Sequence, residues 1–141
     1  MTSSHAMDIA RIAALVSPIC EKSKCDFMYL GGSVAEGTSG WWSDVDFFVH
    51  ATCLEGKDAK NRTNWLTDLG HSIVKVLETD NVHVSFLADL PLNVQFNVIS
   101  KGKVIYERDD GTCRADYIEW MLPRYYDFKI WYTRMIDEWT Y

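Results

Sequence analysis

Apolar residues recur at Ile9, Ile12, Ala13, Val16 and Ile19, a helical spacing that predicts an amphipathic first helix reaching Pro18 and Cys20. The stretch "DFMYL" (26–30) is a continuous apolar run instead, and predicts a short buried strand ending at Gly31-Gly32. In "DVDFFVH" (44–50) the pattern changes to alternation, with Val45, Phe47 and Val49 on one face and Asp44, Asp46, Phe48 and His50 on the other. Helical spacing returns in 57–76, where Trp65, Leu66, Leu69, Ile73 and Val76 share an inner side and Gly70 weakens the propensity. "NVHVSFL" (81–87) alternates again, setting Val82, Val84 and Phe86 against Asn81, His83 and Ser85. A short helix from Pro91 to about Ser100, a turn at Lys101-Gly102 and a strand "KVIYE" (103–107) come next. The last element is a helix from near Thr112 to about Trp139, bent where Pro123 removes a hydrogen bond.

This order predicts an α/β (α+β) fold: a small mixed sheet with helices packed on one face, a more polar face left open, and a C-terminal helix. With 141 residues, 48% of them hydrophobic, the chain suits one core, so residues 8–141 read as a single domain after a tag-like remnant, "MTSSHAM" (1–7). A formal charge of −6 without any lysine or arginine cluster argues against a nucleic-acid-binding surface. The apolar runs are only a handful of residues long and the N-terminus lacks a signal-peptide pattern, which predicts a cytoplasmic protein with no membrane span. Cys20, Cys25, Cys53 and Cys113 form no C-x-x-C pair and read as reduced thiols.

Candidate chemistry concentrates between the first two strands. Asp44 and Asp46 fall on one strand face, roughly 6 to 7 Å apart at the backbone, and two ionised carboxylates that close repel each other. A hard cation relieves the repulsion, and magnesium suits oxygen ligands while keeping places for water and phosphate. Upstream, Gly31-Gly32-Ser33 follows a strand and precedes a short helical candidate, so its backbone N–H groups and the Ser33 hydroxyl could cradle a phosphate. Taken singly, a Gly-Gly-Ser turn is ordinarily only a turn and an Asp-x-Asp pair a solvated strand face.

Read together as Gly32-Ser33, ten intervening residues, then Asp44-x-Asp46, the stretch resembles the signature G-S-x10-D-x-D of the minimal nucleotidyltransferases in the DNA polymerase beta superfamily. "VHVSFLADLP", "VISKGKVIYERD" and "YYDFKIWYTRMID" extend the resemblance over roughly residues 9–138. It implies the nucleotidyltransferase fold, with Gly32 and Ser33 holding the triphosphate of ATP or another nucleoside triphosphate. It further implies that Asp44 and Asp46 hold Mg2+, which polarises the α-phosphate as an acceptor hydroxyl attacks. The third acidic position of the family corresponds here to His83. A histidine there serves either as the general base or as a residue of a site that no longer transfers, and its plainest reading is a polar strand face without chemistry.

Further candidates lie in the loop "VAEGTSGWW": Glu36 and Ser43 either cap or solvate the turn or touch the nucleotide or the metal, and Trp41 and Trp42 either pack over the loop or stack on a base or anchor a partner. His50 shares the phase of the aspartates but lies further along the strand. Eight aromatic residues fall between Trp120 and Tyr141. A core-facing stripe of Ile118, Leu122, Tyr125, Tyr132, Met135 and Trp139 leaves Trp120, Tyr126, Trp131 and Tyr141 over, more apolar surface than a monomer normally exposes. The family resemblance implies a partner for that surface, a helical HEPN-type toxin to which the transferase attaches AMP. Three functions are therefore open: a magnesium-dependent nucleotidyltransferase acting as antitoxin on a partner hydroxyl, a degenerate binding module that sequesters the partner, and an aminoglycoside-like small-molecule transferase that would need a homodimer to build its acceptor site.

Overall fold

The computed structural model of the protein describes residues 8–31 and 44–140. Gly32, Ser33, the helical candidate after them, Glu36, Trp41, Trp42 and Ser43 lie outside the described residues, as do residues 1–7 and Tyr141. Asp8 opens helix α1 (Ile9–Ser23) by accepting a hydrogen bond from the Ala10 N–H at 3.0 Å. The helix continues past Pro18 and the expected end at Cys20 to Lys24, whose left-handed backbone (φ 63°) turns its N–H onto the carbonyl oxygens of Cys20 and Glu21. Asp58 caps helix α2 (Ala59–Leu77) in the same manner through the Asn61 N–H at 2.8 Å. Helix α3 (Leu92–Lys101) starts behind Pro91, and helix α4 (Thr112–Thr140) runs through Pro123 as one element.

Four strands, β1 (Phe27–Gly31), β2 (Val45–His50), β3 (Val82–Phe86) and β4 (Lys103–Glu107), form one mixed sheet in the order β3-β2-β1-β4. β1 is antiparallel to both β2 and β4, whereas β2 and β3 run parallel and are joined through the crossover helix α2. Gly102 permits the tight passage from α3 into β4: a Cβ there would stand 2.5 Å from the Val98 carbonyl oxygen and 3.0 Å from that of Leu30.

Helices α1 and α2 cover one sheet face as expected, and Ile12, Val16, Met28, Leu30, Phe47, Val49, Leu69 and Ile73 form the core between them. The other face is not simply open. Phe27 and Tyr29 pack there with Val98 of α3 and Tyr117 and Met121 of α4, and Phe48 and His50 of β2 lie against the same seam, so the cover takes in β1 and the far end of β2 and does not include Asp44, Asp46 or His83. The strand patterns carry the reason: β1 is apolar throughout and buried throughout, while β2 alternates between buried and half-buried residues.

One end of the sheet is fastened by a buried carboxylate. Asp26 is 0% exposed and accepts from the Thr52 N–H (2.9 Å) and hydroxyl (3.2 Å), with Arg108 Nη2 at 2.7 Å and His50 Nδ1 at 3.1 Å. It thus ties the start of β1 to the segments that follow β2 and β4. A hydrogen bond to Cys113, followed in weight by the charge of Asp26, holds the Arg108 guanidinium above its ordinary pKa. All four cysteines are free; a hydrogen bond with Cys20 and then burial push the Cys25 thiol far up, so it stays protonated and inert.

Candidate functional site

Asp44 and Asp46 bracket Val45, which is 3% exposed and anchored by its N–H to the Asn81 carbonyl at 2.7 Å. With Val45 turned into the core, its two neighbours are turned to the second face, outside the cluster that α3 and α4 form there. Asp46 sits in register with Gly31 of β1 on one side and His83 of β3 on the other. Gly31 has no room for a side chain, since a Cβ would meet the Phe48 ring at 2.6 Å. Across the sheet, His83 Nε2 lies 3.5 Å from Asp44 Oδ2, and both side chains are open to water, at 62% and 58% exposure.

These three residues therefore gather at one sheet end, next to the point where β1 delivers the chain to Gly32 and Ser33. The fastened end with Asp26 and His50 is the opposite one, where Phe27 pairs with His50 in the register. His50 is engaged there by Asp26 and stacks on Phe27 with ring centroids 5.2 Å apart. A cavity of about 320 Å³ lined by His50, Leu54, Lys57, Arg62 and Phe86 also belongs to that far end, and none of Asp44, Asp46 and His83 lines it. Asp80 and Asp89 fall outside β3, and Asp89 is taken by Arg62 at 3.0 Å.

As a donor set, one exposed and one half-buried carboxylate suit a hard divalent cation that retains water and phosphate oxygens. They fit one such ion. Among the described residues no group of three or more His, Cys, Asp or Glu side chains is placed to hold a metal. The buried Asp26 network was the part of the molecule that sequence patterning missed: a lone aspartate before a strand reads as a polar flank, and its partners stand 24, 26 and 82 residues away in sequence.

The model of the family "Polymerase beta, Nucleotidyltransferase" matches residues 15–111, more than half of the chain. The chain belongs to that family. Solved structures of similar fold include a toxin-antitoxin with AMP-PNP, at 18% identity and a TM-score of 0.70, with 92% of this chain and 98% of that one covered. Another is a chain of the tri-AMPylated Shewanella oneidensis HEPN toxin in complex with MNT antitoxin, at 15% identity, TM-score 0.65, and 95% and 100% coverage. The toxin-antitoxin MntA–HepT provides a third, at 16% identity, TM-score 0.64, and 93% and 98% coverage. At these identities the likeness is one of fold. No curated protein sequence matches the chain. Within the family fold, Asp44 and Asp46 stand at the start of β2, and His83 stands beside Asp46 on the neighbouring β3.

The C-terminal helix divides in two. Tyr117 and Met121 are buried, and Tyr125 stacks on Phe96 of α3 with centroids 4.0 Å apart. Tyr117 donates its hydroxyl to the Gln95 side-chain oxygen, and Gln95 in turn donates to the Leu90 carbonyl at 2.7 Å. Beyond Tyr125 the helix exposes Tyr126, Ile130, Trp131, Tyr132 and Ile136, and Trp120 is exposed before it. Trp120, Tyr126 and Trp131 were expected to be left over. Tyr132 was expected to face the core; it lies in phase with Met121 and Tyr125 but is exposed, because no residue of α4 after Tyr125 packs into either core cluster. No helix among the described residues is long and apolar enough to cross a membrane.

Proposed function

We propose that this protein is a magnesium-dependent nucleotidyltransferase that moves AMP from ATP to a hydroxyl group on a HEPN-type partner, and so acts as an antitoxin. The observation that carries the reading is the gathering of Asp44, Asp46 and His83 at one exposed sheet end in a chain of the polymerase beta nucleotidyltransferase family. Similarity in fold to an antitoxin bound to a tri-AMPylated HEPN toxin supports the choice of AMP and of a protein acceptor.

In this mechanism Gly32 and Ser33, outside the described residues, receive the triphosphate with backbone N–H groups and a hydroxyl. Asp44 and Asp46 would hold magnesium, which would supply Lewis-acid polarisation of the α-phosphate. The acceptor oxygen attacks the α-phosphorus, the bond from that phosphorus to the bridging oxygen of the β-phosphate breaks, and pyrophosphate leaves. His83 Nε2 takes the proton released by the acceptor hydroxyl. The exposed aromatic face of α4 receives the partner.

The test is transfer of radiolabelled AMP to the co-expressed partner. Asp44→Asn is expected to lower the rate at least a hundredfold while leaving the fold unchanged, because Asp44 is exposed and supports no core contact. A second reading, neutralisation by sequestration alone, is favoured by the His83–Asp44 pairing, which sets an imidazole on a carboxylate the metal needs. Partner neutralisation that survives intact in Asp44→Asn supports sequestration and overturns transfer.

A further inference from the structure

Resting on the nucleotidyltransferase reading, we infer that this site holds a single divalent ion, brought in with the nucleotide, and that His83 fills the place where a second ion would need a carboxylate. A pair of catalytic metals lies about 3.5–4 Å apart, so the second must share a carboxylate with the first and add anionic oxygen ligands of its own. The sheet register shows what stands beside the shared carboxylate. Asp46 is flanked by Gly31, which has no side chain, and by His83, a nitrogen donor that suits magnesium poorly.

Extending along β3, the residues in phase with His83 are Asn81 and Ser85, neither of which carries a charge. The imidazole is turned toward the Asp44 carboxylate, 3.5 Å away, so the edge of the site beside Asp44 is also occupied. Among the described residues no third carboxylate reaches the pair, and no cluster of three metal-binding side chains exists. One ion on Asp44 and Asp46, completed by phosphate oxygens and water, satisfies the donors present.

The experiment counts ions directly rather than through turnover. Manganese is titrated into the full chain with α,β-methylene ATP, which cannot lose pyrophosphate, and bound manganese is followed by electron paramagnetic resonance with protein in excess. Wild type is expected to bind one manganese per bound nucleotide, with an uncoupled six-line signal. His83→Asp is expected to bind two, with dipolar broadening from the neighbouring ion, and His83→Asn to remain at one. Two coupled ions in the wild type, or one in a His83→Asp protein that still binds nucleotide, overturn the inference. The wild-type count decides by itself if His83→Asp fails to fold. Nucleotide that does not bind with any manganese concentration defeats the nucleotidyltransferase reading instead, a result distinct from a wrong ion count.

Discussion

Asp26 is the residue on which the far end of the sheet depends. Its carboxylate has no contact with water, and four groups are aimed at it: the Thr52 N–H and hydroxyl, Arg108 Nη2 and His50 Nδ1. Removing the carboxylate leaves a guanidinium and a backbone N–H facing a void, and unpaired buried polar groups are more damaging than a pair deleted together. Asp26→Ala is therefore expected to lower the unfolding free energy by about 3 kcal/mol in a urea melt. Nucleotide affinity at temperatures where the variant is folded should not change, since the carboxylates of the site stand at the other end of β2. A melt that matches wild type would show that water replaces the carboxylate at no penalty.

Among the elements, α4 joins the rest through a polar contact set in an apolar seam. The Tyr117 hydroxyl donates to Gln95 of α3 beneath Phe27 and Met121, and burial, with the charge of Asp89 as the lesser cause, pushes its pKa from 10.0 to about 12. The folded state thus keeps a proton that the unfolded chain loses first. The contribution is complete below pH 10 and disappears as the pH rises through about 12. Wild type should lose stability over that interval more steeply than Tyr117→Phe, which has no phenol to ionise; parallel curves in thermal melts across the interval would dismiss the linkage. The elements and their order were readable from the sequence because the apolar period was clear: every strand and helix expected within the described residues is present, although α1 runs past its expected end at Cys20. The second helical layer was not, because alternation in β2 and β3 reports only which face is apolar. The uninterrupted "FMYL" of β1 was the trace of cover on both sides. At the site, pairing of Asp46 with His83 depends on strand register, which lies beyond any local pattern.

For the molecule as a whole, chemistry, fastening and apolar display are kept apart. The carboxylates occupy one sheet end, Asp26 ties the other, and the exposed rings of α4 lie beyond the seam made by Tyr117, Met121 and Tyr125, save Trp120, which packs on Tyr117 at the seam's outer edge. On the proposed function, such separation lets partner docking be removed without touching the fold or nucleotide binding. Among the described residues Trp120 and Trp131, 48% and 58% exposed, are the exposed indoles of that display, and Arg124 lies over the Trp120 ring at 4.2 Å. Indoles at the centre of an interface carry about 2 kcal/mol or more each, roughly a thirtyfold change in affinity per residue. The double variant Trp120→Ala, Trp131→Ala is expected to melt within about 1 kcal/mol of wild type, as exposed positions do. It should bind ATP as wild type does and fail to co-elute with the HEPN-type partner. If co-elution persists with unchanged affinity, docking runs through another face. If ATP binding falls as well, the helix reaches into the nucleotide site, and the separation of docking from chemistry is wrong.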